Sequence, residues 1–204
     1  MNDNQEISDL VIWERQCRVR HLQKELKDCY FDDAVCVTSW SGGRVNVNEY
    51  LNGGKAPVND PEYPIVSRCS TPVIHQNGER AYAEVPSITF RWTNVNGEKA
   101  VLESHMRFIF CTEKRNGEWK IVFFGNVYES DTLTPEIQGT DLKIDCEEVK
   151  KLRHSYRYQA YVDGGVSQEL PGIDRPDTVD ALYKEVEDWM ADGRKYDFCS
   201  KTFL

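Results

Sequence analysis

Glu14 and Arg18, four residues apart in a predicted first helix, are the first pair in this chain whose types and spacing could do chemistry. They share a helix face, and Ile7, Leu10, Val11 and Cys17 turn that face inward, where charge is costly unless mutually satisfied. There Arg18 could hold a substrate carboxylate or enolate, and Glu14 could serve as a base with a raised pKa. The alternative is a structural ion pair tying the helix to a turn at Glu129-Ser-Asp131. Farther on, period-two alternation in Leu102-Glu-Ser-His-Met-Arg-Phe108 sets Glu103, His105 and Arg107 on one face and Leu102, Ser104, Met106 and Phe108 on the other. His105 is then either a general base in a pocket or an outward residue beside charged neighbours. Tyr128 and Asn126 alternate onto one face with Phe124 and Val122, and could donate to a carbonyl oxygen. Trp40, Tyr82 and Phe90 are candidates for the wall of an apolar cavity, with plain core packing as the alternative. Asp33 reads as a cap or turn residue.

Other chemistries lack their motifs. There is no phosphate-binding glycine loop, no Gly-x-Ser-x-Gly elbow and no His-Glu-x-x-His helix. The four histidines, at 21, 75, 105 and 154, are scattered, so no metal site is proposed and no cofactor is expected. Seven cysteines lie far apart without a Cys-x-x-Cys pair, which reads as buried free thiols rather than a disulfide framework or zinc site. A net charge of −9 with interleaved bases argues against nucleic-acid and anionic-membrane partners. No apolar run approaches a membrane span, and the polar, acidic start does not resemble a signal peptide, so a cytoplasmic location is expected.

The elements that must position these residues follow from pattern. Of the chain's 204 residues, 40% are hydrophobic, enough for a substantial core. Gln5 to Val19 reads as an amphipathic helix and Leu22 to Cys29 as a shorter one, with Asp32 and Asp33 marking a turn. A strand from Ala34 to Trp40 precedes a short helix from Asn46 to Gly54 and an irregular segment with Pro57, Pro61 and Pro64. Extended runs Thr71–His75, Arg80–Trp92, Ala100–Lys114 and Trp119–Tyr128 are separated by Asn-Gly at 77–78, 96–97 and 116–117, the dipeptide that hairpin turns favour. Helices first and a long-stranded antiparallel meander after them make an α+β fold. Beyond it come a helical stretch from Asp145 to Arg153, a Tyr-rich piece, and a helix opened by Pro176 and closed by Gly193. Val179, Leu182, Tyr183, Val186, Trp189 and Met190 form one stripe on that last helix.

This order of elements resembles the SnoaL-like family of the nuclear-transport-factor-2-like superfamily. The resemblance is carried by Trp13-Glu14-Arg15 with Arg18, Ser39-Trp40, Asn116-Gly-Glu-Trp119-Lys-Ile121 and, most specifically, Tyr128-Glu-Ser-Asp-Thr-Leu-Thr-Pro135. It covers about residues 5 to 140. It implies a cone-shaped curved antiparallel sheet packed against N-terminal helices around an apolar cavity, and a homodimer through the sheet's outer face. Residues 1–140 are then the cone domain and 141–204 a helical extension packed on it or on a second subunit.

The resemblance also implies chemistry. Dehydratases, cyclases and isomerases of this kind use a His–Asp couple for proton transfer. The Asp position, five residues after Glu14, is Val19 here, and the matched His position is Ser67 within Ser67-Arg-Cys-Ser70. Valine carries no charge and serine alone is a poor base, so the couple is not transferred. His105 is a candidate replacement, because scytalone dehydratase has a histidine at a similar place in the corresponding strand. Two main readings follow. One is a cofactor-independent lyase or isomerase acting on a cyclic, polyketide-like or steroid-like molecule, with His105, Glu14 and Tyr128 as acid and base groups. Its binding set is Arg18, Trp40, Asn126, Phe124, Tyr82 and Phe90. The other is a non-catalytic ligand-binding or accessory protein. In a third, the extension mediates assembly and the cavity is vestigial.

Overall fold

Helix α1 (Asp3–Arg20) starts where the Asn2 side chain accepts from the Gln5 amide at 2.9 Å, with Asp3 and Glu6 in its first turn and Arg18 and Arg20 in its last. Both ends therefore complement the helix dipole. It stops at His21, whose left-handed φ of 56° lets the chain turn back, with the Leu22 amide bonded to the Cys17 carbonyl at 2.9 Å. Ile7, Val11, Glu14, Arg15 and Cys17 are buried. The inward stripe thus runs from an apolar start into a charged end. The computed structural model describes residues 2–38, 43–52, 62–164, 173–174 and 176–193. Trp40, Pro57 and Cys199 lie outside these, as do Gly165, Pro171 and Gly172.

After α2 (Gln23–Asp28), the sheet is built from β1 (Tyr30–Thr38), β2 (Gly43–Asn46), β3 (Ile65–Cys69), β4 (Val73–Asn77), β5 (Arg80–Val95), β6 (Glu98–Arg115) and β7 (Glu118–Pro135), with α3 (Val47–Asn52) following β2. The order is β2-β1-β7-β6-β5-β3, with β4 also paired to β5. All pairings are antiparallel except β1 with β7, which is parallel, so the expectation of a wholly antiparallel sheet is corrected to a mixed one. The cause is topological: β1 enters from the helices and joins the far side of the meander, where its direction matches β7. Asp32 and Asp33 lie within β1 rather than in a turn, at the place where its register against β7 shifts. Strands β2 and β3 carried no sequence signal long enough to read.

The Asn-Gly signals do their work at two hairpins, where Asn96 and Gly97, then Asn116 and Gly117, all take positive φ. At the first hairpin the loop is instead Gly78-Glu79, because Asn77 pairs with Arg80 and Gly78 alone takes the positive φ.

The curved sheet separates two cores. On the inner face, Ile7 and Val11 of α1 and Leu26 of α2 meet Met106, Phe108, Phe110, Ile121, Phe124 and Tyr128. On the outer face, Val35, Val37, Ile109, Cys111, Val122, Phe123 and Val127 meet Leu182, Val186 and Trp189 of the last helix. A β-bulge sets this division in β7: Cys111 pairs with Phe123 and Thr112 with Ile121, leaving Val122 as the extra residue. Val122 therefore turns outward, which corrects its expected place beside Phe124 and Asn126.

Residues beyond 140 enter three cores. Leu142 packs with Val95 and Ala100. After α4 (Cys146–Lys151), Tyr156 in a 3-10 turn and Ala160 in α5 (Arg157–Val162) join the inner core. Helix α6 (Pro176–Asp192) lays its apolar stripe on the outer sheet face, which the resemblance had assigned to a dimer contact. Of the described cysteines, 17, 29, 36 and 111 are buried, 69 is half-buried and 146 is exposed, with no disulfide among them. No helix among the described residues is long and apolar enough to cross a membrane.

Candidate active site: a cavity walled by arginines

A cavity of about 180 Å³ opens between α1, α3 and the inner face of the sheet. Its apolar wall includes Leu51, Leu102, Met106, Phe108 and Phe124, and its polar wall includes Ser67, Thr89, Ser104 and Asn126. Arg15 and Arg18 reach it from α1 and Arg91 from β5, His21 stands at the end of α1, and no aspartate or glutamate is among the described lining residues. Val19 and Ser67 both line it. The two positions that the resemblance assigns to the proton-transfer couple therefore face the cavity and supply no base; Ser67 Oγ instead lies 3.1 Å from Thr89 Oγ1.

Behind the wall sits the charge centre. Glu14 is fully buried, one oxygen accepting a hydrogen bond from Arg15 Nε and the other accepting from Arg18 Nε at 2.6 Å and from the Tyr30 hydroxyl at 2.8 Å. Burial alone pushes the Glu14 carboxyl up, but the two guanidiniums and their hydrogen bonds outweigh it and hold the group below its ordinary value. Burial likewise works against the Arg18 cation, and Glu14 reverses that, so Arg18 stays protonated. The same surroundings push the Tyr30 phenol well up, through burial first and the Glu14 charge second. Glu14 is thus an ionised counterion, and the expectation of a raised-pKa base is corrected. The expected anchor to residues 129–131 is corrected too: these belong to β7, where Glu129 accepts from Arg107 and Asp131 from the Gln159 amide, and Tyr30 anchors the pair instead.

One carboxylate and two guanidiniums leave a surplus positive charge beside the cavity. The Arg15 guanidinium lies 4.3 Å from the Phe124 ring centroid and 4.6 Å from that of Phe108, and Arg18 lies 4.9 Å from Tyr50. Aromatic faces stabilise the cations without neutralising them. Arg15 is only 6% exposed, and its Nη2 meets no acceptor among the described residues. Asn126, also 6% exposed, sends Nδ2 toward the Tyr128 hydroxyl at 3.4 Å and leaves Oδ1 without a partner among the described residues. Arg91 is held differently, with both terminal nitrogens 3.1 Å from Asp163 Oδ1.

The other expected site residues divide by face. Arg18, Phe124 and Asn126 line the cavity. Tyr128 is buried in the inner core against Tyr156, behind Asn126, and is absent from the lining. His105 points the other way: Leu102, Ser104, Met106 and Phe108 take the inner face, and His105 Nε2 lies 2.8 Å from Glu103 on the outer one, with 39% of its side chain exposed. Alternation thus corrects its pocket role. Tyr82 also lies outside, stacked on His75 with ring centroids 4.4 Å apart and edge-on to Tyr183 of α6. Phe90 falls between the lining residues Thr89 and Arg91 and so takes the opposite face. Trp40 lies outside the described residues. Arg15, Ser104 and Arg91 were missed. The signal for Arg15 was present, since it stands four residues after Val11 and eight after Ile7 on one stripe.

No family profile matches the sequence. An uncharacterised protein of Emericella nidulans is 27% identical over 192 residues, covering 85% of this chain and 79% of the relative. Among solved structures, a hexachlorocyclohexane dehydrochlorinase of type 2 superposes with a TM-score of 0.55 at 14% identity, covering 69% of this chain and 94% of its own. A nuclear-transport-factor-2-like superfamily protein of Salmonella enterica serovar Typhimurium gives a TM-score of 0.51 at 15% identity over 67% of this chain and 94% of its own. Identity this low speaks for architecture alone, and with the helices, mixed sheet and inner cavity described above, it establishes that this chain adopts the nuclear-transport-factor-2-like fold.

Proposed function

We propose that this chain takes a small cyclic or aromatic molecule into the cone cavity and holds it there without His–Asp proton transfer. The observation that carries the reading is the composition of the wall. Apolar and aromatic side chains surround a hollow of molecular size with a few convergent polar groups, the make-up of a small-molecule site. Valine and serine stand where proton-transfer groups are expected, and the buried carboxylate nearby is ionised and fully engaged by two arginines and a tyrosine. The test is native mass spectrometry of the purified protein, followed by denaturing extraction. A stoichiometric small-molecule adduct is expected, and Ser104→Phe, which fills the hollow, abolishes it while circular dichroism stays unchanged. An adduct equally abundant in the filled variant refutes the reading.

A second reading, a lyase or isomerase of dehydratase or cyclase type, is favoured by two features. Arg15 and Arg18 can stabilise an enolate as charge develops, and His21 supplies an imidazole at the cavity. A dehydrochlorinase shares the fold, which makes room for lyase chemistry without assigning it. On this reading His21→Ala removes turnover of an identified ligand and leaves its binding in place.

A further inference from the structure

Arg15 is the group that the cavity leaves unfinished. Its Nε is spent on Glu14 and its face on Phe108 and Phe124, yet Nη2, a buried atom of a residue that lines the cavity, has no acceptor among the described residues. A buried donor without a partner is costly, more so when charged, and such a group in a folded protein calls for one. The partner's sign is set by the surroundings. Among the described residues no carboxylate lines the cavity, Glu14 neutralises one of the two adjacent cations, and Asp163 neutralises Arg91. Asn126 lies two residues along β7 from Phe124 on the same wall, with its own amide oxygen unpartnered among the described residues. Turning that amide about its last bond would present Nδ2 to the cavity and Oδ1 to the Tyr128 hydroxyl, making it a second donor. A guanidinium edge and an amide N–H, set beside the apolar wall of Leu102, Met106, Phe108 and Phe124, suit one planar anionic group on an apolar body.

Building on the ligand-binding reading above, we infer that the ligand carries a single carboxylate or enolate-type oxyanion, received by Arg15 Nη2 and Asn126, with its ring system among Phe108, Phe124, Leu102 and Met106. Of the two cations beside Glu14, Arg15 is the recognition residue and Arg18 completes the counter-charge.

The probes are 2-naphthoate and its neutral isostere 2-naphthamide, titrated calorimetrically into the intact protein. The naphthoate is expected to bind about tenfold or more tightly than the amide, the advantage of one charge-assisted pair over a neutral one. Arg15→Lys keeps a cation against Glu14 but has no second nitrogen to offer, and it is expected to bring the two affinities within about twofold at an unchanged melting temperature. Should that variant fold poorly, Asn126→Asp serves instead: its carboxylate would occupy Arg15 Nη2 and exclude the anion while sparing the amide. Equal affinity of both probes for the unaltered protein, or an undiminished naphthoate preference in Arg15→Lys or Asn126→Asp, overturns the inference and leaves the ligand-binding reading intact. Failure of both probes to bind removes that reading and the inference with it.

Discussion

Replacing Glu14 by glutamine tests the charge centre directly. The carboxylate is wholly buried and receives three hydrogen bonds, two from guanidiniums. Glutamine nearly keeps the shape and one carbonyl acceptor but removes the charge, so two arginines beside the inner core lose their shared counterion. Breaking a buried pair from one side costs about 3–5 kcal/mol, more than the pair itself contributes, because the partner charge stays desolvated. A chain of this size loses about 2–4 °C of melting temperature per kcal/mol, which puts the expected drop at roughly 6–20 °C. The pH dependence carries an independent signature. Since the folded carboxyl sits below its ordinary 4.5, folding favours the ionised form. The stabilisation is complete above the unfolded value and disappears as pH falls through the lower folded one. Urea unfolding of both proteins between pH 7 and 3 should show curves far apart at neutral pH that converge below about 4.5. A Glu14→Gln protein within 1 kcal/mol of the parent at pH 7, or two profiles that stay parallel to pH 3, would refute the assignment of Glu14 as a buried counterion.

Three further outcomes follow. His105→Ala, on the face turned from the cavity, should leave ligand affinity and melting temperature unchanged, since its partner Glu103 is half-exposed; a tenfold loss of affinity would return the residue to the site. Trp189→Ala removes a large side chain, 2% exposed, from the outer core and should cost about 3–5 kcal/mol in denaturant unfolding, against less than 1 if α6 were loosely attached. Gly125→Ala places a methyl 2.7 Å from the Phe123 ring, so that ring must shift, and a loss of about 1–3 kcal/mol in chemical denaturation is expected.

Much of the fold was legible because its signals are local. Asn-Gly at two hairpins requires positive φ on both residues, and Pro176 with Gly193 brackets a helix whose stripe is continuous. What escaped depends on partners distant in sequence. The four residues of β2 pair with β1, and the five of β3 are recognised by their ladder to β5, contacts that no local window contains. The parallel joining of β1 to β7 was invisible for the same reason. Arg18, Phe124 and Asn126 line the cavity, on the faces that helix and strand periods give them. Val122 and Tyr82 do not: a bulge shifts the phase of β7 before Phe124, and the faces of β5 have no meaning until α6 is known to cover one of them. Alternation in β6 grouped His105 with Glu103 and Arg107 from the start, but which group faced the hollow had to await the position of α1.

With α6 seated, the apolar part of the sheet's outer side is already in use by its own chain. A second molecule that approached along that side would meet Lys184 and Asp188 bonded to each other on the exposed flank of the helix, not the apolar strands beneath. Pairing through those strands and retention of the helix are therefore rival occupations of one surface, and the winner is set by protein concentration against the free energy of lifting the helix away.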